Sequence, residues 1–541
     1  MNTNRIADLA LINGTIYTVE PDRIVNAVAV RNGKIIATGT NDVIKEFCNE
    51  NTDIINLHNK FVLPGFIESH AHPLEAGMDI VYQVNCSPME NNSISDVLSK
   101  LADKAKNLTP GSWVLGYGYD DSHPNFGRHL TKQDLDTVSI DHPIAVSHVS
   151  VHFTYVNSMA LRLAKIDSET KDIHGSKIGR EQNGEPNGIL MEYGAQNLVT
   201  KLIPNMTSSE LVDALKKASD ILVSVGVTTI SDALLGLHTG DVDKELAAYE
   251  YAIKSGYFLI RFYGFVFSDF ADYYYKSLES GRKEEVIKPR TIKIFSDGSI
   301  QAKTGFLLKP YKIDPNTVGI LVHSESELYK IVSKAHRNGF QVAIHANGDG
   351  AIETVLNVYE RVLNEMPKDN HRHRIEHCQM VTEEQLDRIA KLKILPTFLN
   401  THVYYWGDRH RDIFIGEGRA SRISPLASAA KRDLIFSLHS DWPVTPVNPL
   451  KNISVAVNRI TSDGKVLGAD QRIGIKQAIK AFTLNAAYFI FEEQLKGSIE
   501  IGKLADFVIL SHNLLEIKPD ELDAVNVDMT IIGGKIVYKR P

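Results

Sequence analysis

Cysteine, long apolar runs and excess charge are all scarce in this sequence. The 3 cysteines, Cys48, Cys86 and Cys378, are odd in number and widely spaced, which argues against a disulfide framework and fits a reducing compartment. No uninterrupted apolar run is long enough to span a bilayer, and charges and Asn13-Gly14 interrupt the N-terminal segment, so it lacks a signal-peptide core. We expect a cytoplasmic protein without a membrane partner.

The charge balance excludes a further class of partner. A net charge of -7 is mild for 541 residues, the basic residues are scattered, and no basic patch is rich in aromatic residues. We therefore expect no nucleic-acid partner. Apolar residues make up 43% of the chain, which is ample for a large core, and the length exceeds that of one simple domain.

Short strands and tight turns occupy both ends of the chain. Near the start, "LALINGTIYTV" and "NAVAVRNGKIIATG" alternate apolar and polar residues around Asn-Gly turns. Near the end, "GKLADFVIL" and "MTIIGGKIVYK" do the same around Gly533-Gly534. Because both ends share this alternating pattern, we predict one β-sandwich domain built from residues 1–60 and 490–541. Pro64-Gly65 marks the point at which the chain leaves this domain.

The middle of the chain alternates short apolar runs with helical segments. This rhythm predicts a parallel sheet, most simply an α/β fold of the (β/α)8 TIM-barrel type over residues 61–75 and 215–489. The eight runs are "FVLPGFIESH", "VTTISDA", "LIRFYGFVF", "TIKIFSD", "QVAIHANGD", "HRIEHCQ", "ILPTFLN" and "LIFSLHSD". Residues 76–214 are too long for a loop after the first strand, so we expect an insertion subdomain over the barrel mouth.

Several predicted strands end on a residue that can bind a metal or a proton. They are His70 and His72 after strand 1, Lys293 on strand 4, His345 after strand 5, His377 after strand 6 and Asp441 after strand 8. Taken singly, each has an ordinary explanation, such as a hydrogen-bonded core histidine, a lysine paired with Asp297, or a helix cap. Their joint occurrence at the ends of strands that converge on one barrel face favours a metal site.

The same segments resemble a known family. "GFIESHAHP", "TIKIFSDGSI", "VAIHANGDGAI", "RIEHCQM" and "SLHSDWPV" are similar, in this order, to the successive motifs of the amidohydrolase superfamily. The branch that they resemble includes the N-substituted formamide deformylases (amidohydrolase family 3). The tail "LNAAYFIFEEQLKGSIEIGKLADFVIL" resembles the closing segment of the superfamily. The resemblance spans essentially the whole chain and implies a superfamily and a branch, without a substrate.

The resemblance implies a role for each strand-end residue. His70 and His72 would hold a more buried metal, His345 and His377 a more exposed one, and Lys293 would bridge them as a carbamate. An ammonium group has no lone pair to donate, whereas a carbamate offers anionic oxygens. Imidazole nitrogen and hard oxygen suit zinc best, with manganese, iron or cobalt as alternatives. If Lys293 is unmodified, a single metal held by His70, His72, Asp441 and either His345 or His377 is workable.

The implied reaction is hydrolysis of a carbon–nitrogen bond in a small-molecule substrate. Zinc lowers the pKa of bound water from about 15.7 to about 7, so hydroxide is available at neutral pH to attack a carbonyl. Asp441 would take the proton and pass it to the departing amine. The alternatives are hydrolysis of an ester, lactone or cyclic amide, a decarboxylation, or a silent relative that acts as a binding scaffold. Exposed helices of such barrels commonly form dimer interfaces, so a homodimer is one expected oligomeric state.

A second tier of residues is expected around the substrate. His152 matches a segment of the branch in which a histidine faces the pocket, although "YVNSMAL" beside it also reads as a helix start. The other substrate-binding candidates, any of which could equally be packing residues, are Tyr119, Asp120, Glu192, His402, Trp406 and Trp442. Asp297 and Asp349 are candidates to orient the metal ligands, although Asp-Gly is also a common turn. By alternation along the strand, we assign Glu68 to the barrel interior.

Overall fold

The barrel predicted from the alternating pattern is present. The computed structural model describes residues 6–280, 287 and 289–541, and within them eight parallel strands pair in chain order. The barrel strands, numbered one to eight below, are Phe66–Ala71, Val227–Leu235, Arg261–Phe267, Thr291–Phe295, Gln341–Ala346, Arg374–His377, Leu395–Phe398 and Ser437–Leu438. The expected TIM-barrel fold class is therefore confirmed.

Strands one and eight approach each other to close the barrel. The hydroxyl oxygens of Ser69 and Ser437 lie 2.9 Å apart. Just beyond the strand ends, the amide of Asp441 donates to the carbonyl of His70 at 3.2 Å, and the amide of His72 donates to the carbonyl of Trp442 at 2.7 Å. These backbone bonds tie the two ends that carry His70, His72 and Asp441 into one edge.

Helices cover the barrel because each has a defined start and one apolar face. Capping boxes at Thr207, Ser324 and Thr382 satisfy the free amides of three helix N-termini. The apolar faces pack against the strands in the largest hydrophobic cluster of the protein. The barrel helices are Ser208–Ser224, Val242–Lys254, Ala271–Glu279, Glu325–Arg337, Asp349–Glu365, Glu383–Leu392, His402–Arg409, Glu417–Ala420, Leu426–Ala430, Pro449–Asn458, Ile475–Ala481 and Leu484–Phe489.

Strands from both ends of the chain form two sheets beside the barrel. One contains Lys34–Gly39, Ala27–Arg31, Leu9–Ile12 and Asp53–Asn56, with the helix Asn41–Lys45 alongside. The other contains Lys535–Lys539, Val527–Ile532, Phe507–Leu510, Phe61–Pro64, Thr15–Tyr17 and Ile24–Val25. The hairpin turns at Asn32-Gly33 and Gly533-Gly534 have positive φ at both central residues, which matches the twist of the flanking strands.

One strand lies outside the domain in which the predicted boundaries placed it. Phe61–Pro64 pairs with Thr15–Tyr17 on one side and with Phe507–Leu510 on the other. It therefore belongs to the terminal sheet, and the barrel begins after Pro64-Gly65, where the chain turns into strand one. The other predicted domain boundaries stay a prediction.

The segment between strands one and two contains a sheet of its own. Its strands, in spatial order, are Lys177–Arg180, Pro186–Met191, Phe153–Val156, Ile144–His148, Val114–Tyr119 and Val84–Asn85. Its helices are Pro73–Tyr82, Ile94–Lys106, Lys132–Asp136, Ser158–Leu163 and Glu192–Thr200. A separate apolar cluster holds this insertion together, so it is a packed unit rather than a long loop. Among the described residues, no helix has the length and apolarity required to cross a membrane.

Candidate metal centre

The structure brings the residues at the ends of strands one, four and eight into contact. Nε2 of His70 lies 3.1 Å from Nζ of Lys293 and 3.3 Å from Oδ1 of Asp441. Nε2 of His72 lies 3.2 Å from the same oxygen of Asp441. These side chains are almost completely buried. The alternation along strand one thus delivers both histidines to one point, as their spacing predicts.

His345 and His377 complete the cluster from strands five and six. Their ring centroids are 4.4 Å apart, and the ring of His377 is 4.9 Å from that of His70. Nδ1 of His377 lies 3.8 Å from Oδ2 of Asp441. His345 turns its Nε2 toward the carbonyl of Gly298 at 3.1 Å. All six predicted ligand residues therefore surround one buried volume at the C-terminal end of the barrel.

The donor atoms of this cluster fit a divalent cation. Both ring nitrogens of His377 are buried without a hydrogen-bond partner among the described residues, and Oδ1 of Asp441 has only the imidazole nitrogens of His70 and His72 close to it. Ligand atoms of His70, His377 and Asp441 all lie within 4.8 Å of one another. Burial lowers the pKa of His72 to about 4 and that of His377 well below its usual value, so both imidazoles keep a lone pair at neutral pH. Neutral imidazoles and a carboxylate are suitable ligands for zinc and related metals.

Two of these residues have a backbone conformation that non-glycine residues seldom adopt. His377 has a φ of 71° and Asp441 a φ of 54°, both in the left-handed region. His377 is the last residue of strand six, and Asp441 stands three residues after the end of strand eight, so both lie where the chain leaves its strand. Backbone strain of this kind persists where the surrounding structure holds it, and it concentrates at functional sites.

Glu376 and Arg374 support His70 and were missed in the sequence. A carboxylate oxygen of Glu376 hydrogen-bonds Nδ1 of His70, and Arg374 donates to both oxygens of the same carboxylate at 2.7 and 2.9 Å. Burial opposes ionisation, but Arg374 and His70 outweigh it and hold the pKa of Glu376 well below its usual value. In the sequence, Arg374 and Glu376 form a charged i, i+2 pair inside the buried strand "RIEH". That pair is the feature from which their role could have been predicted.

His439 was also missed. Its ring is completely buried, 5.0 Å from that of His70 and 5.1 Å from that of His377, and neither nitrogen has a hydrogen-bond partner among the described residues. It precedes Asp441 at the same i, i+2 spacing that separates His70 from His72, so the spacing could have identified it.

The three acidic residues near the strand ends have different environments. Asp297 accepts hydrogen bonds from the amides of Phe306, Asn347 and Gly348, and its Oδ1 lies 3.6 Å from Nε2 of His345. Asp349 accepts from the amides of Leu308 and Gly350 and caps a loop instead of reaching a ligand. Glu68 accepts from the amide and hydroxyl of Ser440, inside the barrel as assigned.

The insertion contributes His152 and Glu192 to the edge of the cluster. Nδ1 of His152 lies 2.8 Å from a carboxylate oxygen of Glu192, and its ring is 5.2 Å from that of His345. Burial lowers the pKa of His152, but Glu192 outweighs this and raises it. Glu192 has a φ of 64°, so the start of its helix is strained in order to present the carboxylate.

Tyr119 and Asp120 do not join the cluster. The ring of Tyr119 stacks on Phe126 at 4.8 Å in the core of the insertion, and its hydroxyl donates to the carbonyl of Arg128. A register shift between Gly116 and Tyr119 interrupts the alternation of this strand and leaves Tyr119 in that core, so its predicted contact with substrate is wrong. Asp120 accepts hydrogen bonds from Arg409 at 2.7 Å and from Nε1 of Trp406 at 3.2 Å, and it therefore fastens the insertion to the helix after strand seven.

The remaining predicted residues follow strands seven and eight in the chain. His402 is buried and stands against Trp406 with ring centroids 5.0 Å apart, and neither of its nitrogens has a hydrogen-bond partner among the described residues. Trp406 is itself fixed by Asp120. Trp442 is buried in the barrel cluster, and its carbonyl accepts from the amide of His72. Trp442 thus supports the position of a predicted ligand.

Comparisons with known proteins agree with this geometry. Residues 53–538 match the model of the Amidohydrolase family. The chain is 31% identical over 537 residues to the putative amidohydrolase YtcJ of Bacillus subtilis (strain 168), covering 97% of this chain and 98% of that protein. It is 26% identical over 551 residues to the N-substituted formamide deformylase of Arthrobacter pascens, covering 99% of each chain.

A solved structure gives the same result. An uncharacterized metal-dependent hydrolase from Pyrococcus horikoshii OT3 superposes with a TM-score of 0.74 at 28% identity, covering 95% of this chain and 99% of that one. The match extends over the terminal sheets, the insertion and the barrel. The chain therefore belongs to the Amidohydrolase family and is a hydrolase with a site for a divalent metal.

Proposed function

We propose that this hydrolase cleaves the carbon–nitrogen bond of an acyclic, non-peptide amide, with a formamide as the first candidate. The observation that carries the proposal is the buried cluster of ligand atoms on His70, His377 and Asp441, in which both nitrogens of His377 have no partner among the described residues. Lys293 lies beside it, 3.1 Å from His70. The full-length similarity to an N-substituted formamide deformylase favours the formamide over other acyl groups.

One or two zinc ions would be held by the strand-end residues. The ligands would be His70, His72, Lys293, His345, His377 and Asp441. Burial lowers the pKa of Lys293 to about 8, which makes the uncharged amine accessible for carbamate formation with carbon dioxide. When bound, the metal lowers the pKa of a water molecule and polarises the substrate carbonyl.

Asp441 would carry the proton through the reaction. Its carboxylate takes a proton from the attacking water as the carbon–oxygen bond forms. The same carboxyl then gives that proton to the amide nitrogen as the carbon–nitrogen bond breaks. The products are a carboxylic acid, formate in the case of a formamide, and an amine.

His152 would hold the substrate from the insertion side. Its Nδ1 is occupied by Glu192, so Nε2 is the nitrogen that remains for a substrate oxygen. Since the ring lies 5.2 Å from that of His345, a group bound there is adjacent to the metal centre. This arrangement makes the insertion a part of the substrate site.

The experiment is an activity screen of the zinc-loaded chain against formamides, longer N-acyl amines, esters and lactones. Release of formate and amine in equal amounts, abolished in Asp441→Asn, is the expected result. Turnover of lactones or esters without turnover of any amide would contradict the proposal. Absence of turnover together with absence of bound metal would favour a silent relative.

A further inference from the structure

We propose that Gln379, His402 and His410 form a subsite for an uncharged, hydrogen-bonding group of the substrate, such as a hydroxyl or a carboxamide. This inference rests on the proposed function, because it concerns the substrate of the same site. We refer to these three residues as the neutral polar subsite.

The three side chains are buried in contact with one another. Nε2 of Gln379 lies 3.0 Å from Nε2 of His410, and the rings of His410 and His402 are 6.0 Å apart. The relative exposures are 0% for Gln379, 2% for His402 and 0% for His410. The group is therefore a packed unit within the fold rather than a feature of the surface.

Most of the polar atoms of this unit have no partner. Oε1 of Gln379, Nδ1 of His410 and both ring nitrogens of His402 are buried without a hydrogen bond among the described residues. Native proteins leave few buried polar atoms unpaired, because each loses the hydrogen bonds that it made to water. A concentration of such atoms in one place points to a polar ligand that pairs with them.

The subsite adjoins the metal centre. Gln379 stands two residues after His377, and His402 begins the helix that follows strand seven. The neighbouring Thr401 hydrogen-bonds Thr445 at 3.1 Å in the loop that begins at Asp441. A substrate whose scissile carbonyl lies at the strand ends would therefore extend its remaining part along strands six and seven.

The chemistry of the subsite selects an uncharged group. Amide and imidazole side chains supply both donors and acceptors without a net charge when the histidines are neutral. The adjacent cation, Arg409, is bound to Asp120 at 2.7 Å, so it is not free to bind an anion. The ring of Trp406 meets that of His402 edge to face, with centroids 5.0 Å apart.

The test compares two formamides of equal size, N-(2-hydroxyethyl)formamide and N-propylformamide. Their binding to zinc-loaded Asp441→Asn protein is measured by calorimetry, so the readout needs no hydrolysis. We expect the hydroxylated amide to bind about tenfold more tightly, which corresponds to one net hydrogen bond. Equal binding of the two amides, or no measurable binding of the hydroxylated one, would overturn the subsite.

Variants in the Asp441→Asn background locate the effect. Gln379→Met and His402→Phe should each reduce the preference to about threefold or less, because each removes part of the hydrogen-bonding set. His402→Gln, which keeps a donor and an acceptor, should retain it. The matched control is His371→Phe, since His371 is a buried histidine bonded to the carbonyl of Leu392 at the opposite end of strand six.

The outcomes separate this inference from the proposed function. A preference for the hydroxylated amide that persists in folded, zinc-loaded Gln379→Met and His402→Phe would contradict the subsite. If those variants fail to fold, the comparison of the two amides on the parent protein still decides. Binding with the expected preference but no hydrolysis by the native chain would remove the proposed function and keep the subsite.

Discussion

Among the residues that the structure describes, two clusters of acidic and histidine side chains have the composition of a metal site. One lies in the barrel and contains His70, His377 and Asp441, and the other lies in the insertion and contains Asp120, Asp121 and His148. In each, the ligand atoms are within 4.8 Å of one another. Residue types and spacing alone do not distinguish them.

The difference lies in what already neutralises the carboxylates. In the insertion, Arg409 binds Asp120 at 2.7 Å, and Nε2 of His148 lies 3.0 Å from Asp121 while its Nδ1 contacts Ser150. An arginine remains charged at any physiological pH, so it acts as a permanent cation there. In the barrel, Arg374 is bound to Glu376, and the cation that remains beside His70 is Lys293, whose pKa burial lowers to about 8. A lysine in that environment can lose its proton, so that a bound metal supplies the positive charge of the cluster.

The largest expected effect comes from removing a ligand of the barrel cluster. His377→Ala takes away a side chain whose nitrogens have no protein partner, so bound metal and hydrolysis should both fall below detection. Metal content after dialysis and turnover of the best substrate measure the two effects. His148→Ala is the matched control, and it should keep the metal content of the native chain; equal loss of metal in both variants would refute the comparison.

Asp441→Asn should lower turnover about 10²- to 10⁴-fold, the usual contribution of a positioned acid–base group. The amide keeps an oxygen near the metal but takes up no proton, so metal content should change little. Asp121→Asn, in the insertion cluster, should change turnover less than about threefold because its carboxylate faces His148 and His129 rather than the substrate. Full activity in Asp441→Asn would exclude its role as proton carrier.

Glu376→Gln should weaken metal binding about 10- to 100-fold, as expected when the partner of a ligating histidine is changed. The glutamine cannot accept from both Arg374 and His70 as the carboxylate does, so the orientation of His70 is less fixed. Competition with a chelator of known affinity measures the change. An unchanged metal affinity would show that Glu376 serves only the barrel interior.

The smallest expected effect on the metal comes from Arg409→Met. Removing the guanidinium leaves the buried carboxylate of Asp120 without its cation, which should lower the free energy of unfolding by about 3–5 kcal/mol. The metal content of the barrel should stay the same. Urea unfolding and metal analysis of the same preparation test both parts, and loss of the metal would mean that the two clusters are coupled.

Most of the fold was predictable because it depends on periodic patterns. Buried parallel strands produce short apolar runs, and the eight strands appear where those runs stand. Strand ends of a barrel converge by geometry, which is why His70, Lys293 and Asp441 could be placed together from positions far apart in sequence.

The residues that were missed or misplaced depend on contacts that no local pattern specifies. Glu376 looks like an ordinary strand residue until Arg374 and His70 are seen on either side of it. Tyr119 and Asp120 are neighbours, yet one enters the core of the insertion and the other fastens it to Arg409. The direction of each side chain depends on how the insertion packs internally and against the barrel. The local sequence around Tyr119 and Asp120 does not specify that packing.

The most direct test of the account is metal analysis of the chain purified without chelator. We expect one or two equivalents of a divalent metal per chain, with zinc preferred over other metals. The metal should be lost in His70→Ala and His377→Ala and retained in His148→Ala. A native chain that carries no stoichiometric metal, and takes up none when zinc and bicarbonate are added, would contradict it.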